Sequence, residues 1–289
     1  MNGSEYFRAH LEPQVSEWST SVCEAMLGES PPKPSAEWVY WNIHLRGQSG
    51  ARQLDLACDE ELVGVLRAVG AGDFPQLGWC LLDKSVGVPP QGVHVSFNED
   101  ELNRRRISDT AILMPRLHLN GMPGWHLLTS IAGAPKGKRI RYYVPGCSNV
   151  DRLGLLIEML NPTNARWTLK VRSNAQDIRP DRLVVYIEDS DFELVNEVLQ
   201  AIGSQSSSSE STTLPLFCWP VADGAGAAPD SPLDPLKSLG QEVGLILSAA
   251  LAKLEDSSEG VEQLNDRGRL KQLVRNALWD YFFAVTATA

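Results

Sequence analysis

The residues best suited to chemistry in this chain of 289 are cations spaced among apolar positions. The stretch RWTLKVRSNAQDIRPDRLVVYIEDSD, residues 166–191, contains Lys170, Arg172, Arg179, Arg182 and Tyr186. Upstream, KRIRYYV (138–144) adds Arg139 and Arg141, and GVHVSF (92–97) adds His94. Such a set suits a phosphorylated substrate. Arginine forks take two phosphate oxygens at once, a lysine can remove a proton, and a histidine can donate one near neutral pH. A solvated basic face on a sheet accounts for the same pattern, because most surface charges have no further role. The other histidines (His10, His44, His118 and His126) show no metal-ligand spacing. No P-loop, dinucleotide glycine fingerprint or nucleophile elbow is present. No metal and no cofactor is therefore expected.

Period-two alternation puts these groups on strands. Trp167, Leu169 and Val171 alternate with Thr168, Lys170 and Arg172, and Leu183, Val185 and Ile187 with Val184, Tyr186 and Glu188. Ile140, Tyr142 and Val144 likewise oppose Arg139, Arg141 and Tyr143, while Val93, Val95 and Phe97 oppose His94 and Ser96. The expectation is one sheet holding all four strands, with His94, Arg141, Lys170 and Tyr186 open on one concave surface.

Around these strands the spacing predicts helices over 5–27, 60–69 and 99–106, the last capped by Asn98. A further helix starts near Asn149 with the stripe Val150, Leu153, Ile157 and Leu160. Ser190 and Glu193 have capping-box spacing ahead of the stripe Phe192, Val195, Leu199 and Ile202. The aromatic run 36–46 reads as a strand, as does 111–114, which a Gly/Pro-rich connection follows. Residues 222–235 read as an irregular loop, and 236–254 and 261–285 as two closing helices. The chain is thus expected to be α+β: a mainly antiparallel sheet with helices packed on one side, plus helical N- and C-terminal segments. Residues 1–34 are read as an N-terminal helical segment and linker, and 35–289 as the α+β domain, with a flexible serine-rich link near 203–213.

Composition narrows the partners. Apolar residues make up 43% and charged residues 21%, the balance of a soluble globular chain. A net charge of −10 opposes nucleic acid as the main partner, because a phosphate backbone asks for a broad basic surface. No apolar run reaches the roughly 20 residues a membrane span needs. Five scattered cysteines and the polar start Met1–His10 fit reduced thiols in a cytoplasm.

The run KRIRYYVPG, an amphipathic helix, TLKVRS and RPDRLVVYIEDSDF together resemble the Hop-A family of type III effectors. Relatives of that family occur in bacterial gene clusters for ribosomally made, modified peptides of the class V lanthipeptide and thioamitide types. The family pattern is a lysine inside an apolar strand, then Arg-x-Asp before an apolar run ending in tyrosine. Lys170, Arg179, Asp181 and Tyr186 match it, and the resemblance continues through 214–251. One element departs: the family's Ser-Phe-Gly followed by an arginine is here Ser238-Leu239-Gly240-Gln241-Glu242-Val243, without the arginine. GVHVSF is similar to the strand that carries the catalytic histidine in bacterial phosphothreonine lyases, though Gly92 stands where that motif has a lysine.

These resemblances imply a lyase that eliminates phosphate from phosphoserine or phosphothreonine in a precursor peptide, leaving dehydroalanine or dehydrobutyrine. Lys170 would be the base and His94 the acid, with Arg141, Arg172, Arg179, Arg182 and Tyr186 binding the substrate. A separate Ser/Thr kinase is then required, since nothing in the chain binds a nucleotide. The alternative is a non-catalytic scaffold of the same pathway that binds the peptide or the kinase, which the two missing cations favour. A secreted effector acting on host proteins ranks third, because the long serine-rich leader expected for that route is not seen.

Overall fold

Alternation along the sequence becomes a sheet with one apolar and one polar face. The structure, a computed structural model, describes residues 1–29, 34–46, 59–77, 80–81, 86–88, 95–96, 99–147, 149–174, 177–204, 213–230, 238–255 and 267–287. Its helices are α1 (Gly3–Ala9), α2 (Leu11–Glu29), α3 (Ala36–Trp38), α4 (Glu60–Val69), α5 (Glu99–Arg105), α6 (Val150–Leu160), α7 (Phe192–Ser204), α8 (Leu239–Glu255) and α9 (Arg267–Ala287). The strands are β1 (Asp73–Leu77), β2 (Cys80–Leu81), β3 (Val86–Val88), β4 (Val95–Ser96), β5 (Arg106–Ser108), β6 (Ala111–Pro115), β7 (Leu117–Met122), β8 (Trp125–Thr129), β9 (Arg139–Tyr143), β10 (Trp167–Arg172), β11 (Leu183–Glu188), β12 (Trp219–Ala222) and β13 (Ala225–Pro229). None of the described helices is long and apolar enough to cross a membrane.

The fold is α+β around a seven-stranded antiparallel sheet in the order β12-β13-β9-β11-β10-β8-β7. Ile140, Tyr142, Leu169, Val171, Val185 and Ile187 supply the buried face, joined by Leu153, Leu156, Ile157 and Leu160 of α6 and Phe192, Val195, Leu199 and Ile202 of α7. Both predicted helical stripes therefore lie in the core. The terminal helices reach the same core through an aromatic knot. Trp18 of α2 lies 4.7 Å from the ring of Trp219 and 4.8 Å from that of Phe282, and Phe7 of α1 lies 4.7 Å from Trp219.

Several local expectations are corrected. Residues 5–27 form two helices, because a continuous one would drive the Pro13 ring against the carbonyl of Ala9; the break falls at His10. Residues 36–46 are not a strand. Ser35 caps α3 by accepting from Trp38 N at 3.1 Å, and a π-helical turn over Val39–His44 follows. Cap chemistry and the burial of Val39 and Ile43 four residues apart override the aromatic strand propensity here.

The Gly/Pro-rich connection after β6 contains the hairpin β7–β8, turned at Pro123-Gly124 with Gly124 at φ +73°. The loop read over 222–235 holds β13, whose five residues are small and buried; the tight turn at Gly224, φ +66°, pairs it with β12. Ser190 does not cap α7, since it sits inside a 3₁₀ turn over Asp189–Asp191 that runs straight into the helix. Finally, β4 does not join the large sheet but pairs with β3 in a three-stranded one. His94, Asn98 and most of the serine-rich link lie outside the described residues.

Candidate functional site

Register alone assembles the polar face. In an antiparallel ladder, directly opposed residues point the same way. Lys170 pairs with Leu127 and Val184, Arg172 with Trp125, Tyr186 with Thr168 and Arg141, and Glu188 with Arg139. Trp125, Lys170, Arg172, Tyr186, Arg139 and Arg141 thus share the face opposite the helix-backed core.

Trp125 is the floor of the arrangement. Lys170 Nζ lies 4.1 Å from its ring centroid, the Arg172 guanidinium 5.1 Å and the Arg179 guanidinium 5.7 Å. One indole therefore faces three cations, which its π-cloud attracts. Arg179 also lies over Trp41, at 5.1 Å. Such a ring could not have been assigned from spacing, since Trp125 falls in a stretch read as connection.

Each arginine of this face is held by an aspartate. Arg172 Nε donates to Asp177 Oδ2 at 2.6 Å. Arg179 forks onto Asp181, its Nε to Oδ1 and its Nη2 to Oδ2, both at 2.7 Å. The same Nη2 donates to the Tyr40 hydroxyl at 2.9 Å, and that hydroxyl donates to Asp181 Oδ2 at 3.1 Å. Arg141 is buried against Asp230, which also takes Arg139 Nη2 at 2.6 Å. Arg182 has a framework role, reaching the carbonyls of Pro145 at 2.8 Å and Asp177 at 2.9 Å. Asp177 organises the β10–β11 connection, because its other oxygen accepts from the Arg179 backbone N–H at 2.9 Å.

Lys170 differs from these arginines. Half-buried on β10, it forms no salt bridge with a carboxylate among the described residues. Its charge is nevertheless felt nearby. Burial would raise the Asp181 carboxyl, but hydrogen bonds from Arg179, with the charges of Arg179 and Lys170, hold it below the usual carboxylate range. Burial would likewise raise the Tyr186 hydroxyl, yet Lys170, Arg141 and Arg139 outweigh it and bring the phenol below its ordinary value. The thiols offer no rival nucleophile among the described side chains. Burial pushes Cys23 and Cys147 up to about 11 and Cys218 up to about 12.

Two predictions arise directly. Arg172 Nη1 lies 2.7 Å from the point a Cβ on Gly124 would occupy, and Gly124 has a left-handed φ. Gly124→Ala is expected to displace the Arg172 head from Trp125 and to cost about 1–2 kcal/mol in backbone strain alone. A lower denaturant midpoint would show it.

His44 gives the second. It stacks on Phe217 with 5.6 Å between rings, and burial pushes its pKa from 6.5 down to about 3. Between those values the unfolded chain binds a proton that the folded one refuses, so stability falls as pH falls. Between about pH 7 and pH 5 this single group should remove about 2 kcal/mol. His44→Leu is expected to flatten that part of the pH–stability curve, measured by urea unfolding; an unchanged slope would exclude His44 as its source.

No curated protein matches the chain. Among solved structures it is similar to the effector protein from Pseudomonas syringae pv. syringae strain 61, with 12% identity over 88% of this chain and 91% of that one and a TM-score of 0.45. It is also similar to the effector protein from Pseudomonas syringae pv. tomato strain DC3000, with 14% identity over 92% of each chain and a TM-score of 0.46. The segment from α6 to α9, which carries Lys170, Arg172, Arg179, Tyr186 and Asp230, is the part that matches a family model: residues 150–277 resemble the HopA1 effector protein family.

Proposed function

We propose that this protein is a carbon–oxygen lyase acting on phosphorylated serine or threonine in a precursor peptide, within a pathway that makes lanthipeptide-like products. The observation that carries the reading is Lys170 Nζ, which no carboxylate bridges among the described residues and which shares the Trp125 ring with Arg172 and Arg179. A phosphate entering there meets the lysine and the two arginine heads together. Lys170 takes the α-proton, the electron pair of the C–H bond becomes the Cα=Cβ bond, and the Cβ–O bond breaks to release phosphate. Arg172 and Arg179 steady the charge that gathers on the leaving oxygens. A separate kinase supplies the phosphorylated peptide. Mass spectrometry of a phosphothreonine peptide after incubation tests this: the expected result is loss of phosphoric acid, and an unchanged peptide would refute it.

One observation favours a second reading. Arg141, Arg172 and Arg179 are each already paired with an aspartate, so a phosphate competes with built-in anions. A scaffold that binds the peptide or its kinase without elimination has no need to open those pairs. Binding of the phosphopeptide with no loss of mass would select it.

A further inference from the structure

The cation cluster has a neighbour that no charge explains. Between the segment 36–41 and α8 lies a cleft of about 440 Å³, lined by Ala36, Glu37, Tyr40, Trp41, Gln241 and Leu245. Pockets of this size commonly hold a ligand group by apolar contact with a few polar groups for orientation. Tyr40 and Trp41 of the lining meet edge to face, with ring centroids 5.2 Å apart and an interplanar angle of 76°. Opposite them, Leu245 is 46% exposed on α8, a large apolar side chain that the core does not use. Close approach of α8 is built in. A Cβ at Gly244 would meet the Ala36 carbonyl oxygen at 2.6 Å, and one at Gly240 would meet the His44 ring at 2.3 Å.

The cleft and the cation cluster share a wall. Tyr40 binds both Arg179 and Asp181, while Trp41 stacks with the Arg179 guanidinium that also sits over Trp125. Ring-to-cation distances of 5.1, 5.7 and 4.1 Å bound the separation of Trp41 from Lys170 Nζ at about 15 Å, the reach of about four extended residues. Glu37 at the rim adds a negative charge to a protein of net charge −10, which turns away a second acidic group and leaves the phosphate to the cations beyond.

We propose that this cleft holds a large apolar side chain, of phenylalanine or leucine size, belonging to the peptide whose phosphorylated residue lies at Lys170, within about four residues of it. The inference rests on the phosphopeptide reading above and names the sequence that such a peptide must have. The π-helical turn at Val39–His44 sets Tyr40 and Trp41 between the two sites, so the apolar anchor and the phosphate are read by one rigid element.

The test uses the full chain and two phosphothreonine peptides, alike except for phenylalanine or alanine placed within four residues of the phosphothreonine. Affinity is measured by fluorescence anisotropy and elimination by mass spectrometry. The phenylalanine peptide is expected to bind about tenfold more tightly, the size of effect that burying one large apolar side chain gives. Leu245→Glu, at an exposed position that leaves the core intact, should erase the difference between the peptides, and Leu245→Met should keep it. Equal binding of both peptides by the wild type, or a preference that survives Leu245→Glu, would overturn the inference. The Lys170→Ala protein and an unphosphorylated phenylalanine peptide separate the two claims. Leu245-dependent binding without any elimination keeps the cleft and removes the lyase; elimination indifferent to phenylalanine does the reverse.

Discussion

Lys170→Arg is expected to abolish phosphate elimination while leaving the protein folded. Lys170 Nζ sits 4.1 Å from the Trp125 centroid, a place that a guanidinium fills equally well, so charge and ring contact survive the exchange. What does not survive is the capacity to accept a proton, because a guanidinium stays charged at any working pH. Loss of a general base costs on the order of 10² to 10⁴ in rate. Lys170→Ala should fall as far, and circular dichroism should match the wild type for both variants. The scaffold reading expects something else, since an arginine there binds the peptide like the wild type. Measuring turnover and binding side by side therefore decides between them: full elimination activity in Lys170→Arg would remove this lysine as the base.

The largest expected effect on stability lies at Asp230. Its side chain is 5% exposed and that of Arg141 is 4% exposed, and Arg139 joins the same carboxylate. Asp230→Ala leaves a guanidinium buried without its counter-charge, which costs about 3–5 kcal/mol. In a chain of this size the melting temperature should fall on the order of 10 °C. A double variant, Asp230→Ala with Arg141→Met, should recover most of the loss, because a buried pair replaced by apolar groups of similar size is often neutral. If the double variant is no better than the single one, the loss comes from distorting β13 rather than from the stranded charge.

The period-two strands and both helical stripes were legible because burial on one face enforces them, as Leu169 and Val171 or Leu153 and Ile157 show. The cations of β9 and β10 were legible for the same reason, on the opposite face. The counter-charges were legible only where they are local. Asp177 and Asp181 lie only five and two residues from the arginines they bind, so the spacing was there to be noticed. Asp230 is different, since it reaches Arg141 across 89 residues from the end of a strand of small residues that carries no alternation signal. Trp125 is not legible because it falls in the Gly/Pro-rich stretch after 111–114, whose composition marks a connection as readily as a hairpin. The aromatic wall of Tyr40 and Trp41 escaped because propensity called for a strand and Ser35 started a helix.

The distance in sequence between partners also orders how the molecule assembles. Arg172 with Asp177 and Arg179 with Asp181 lie within a single hairpin connection, so these charges meet as soon as β10 and β11 pair. A loop of so few residues closes in roughly 10–100 ns. Arg141 must wait for residues 219–230, which arrive after two helices and the whole hairpin have been made. During synthesis, a chain that ends before Asp230 leaves β9 as an open strand edge whose Arg141 guanidinium lacks its counter-charge. Such an edge invites pairing with other chains, so β13 acts as the closing piece that both neutralises Arg141 and covers the strand. The ion pairs of the β10–β11 connection form early from neighbours, whereas the protection of the sheet beside them comes last.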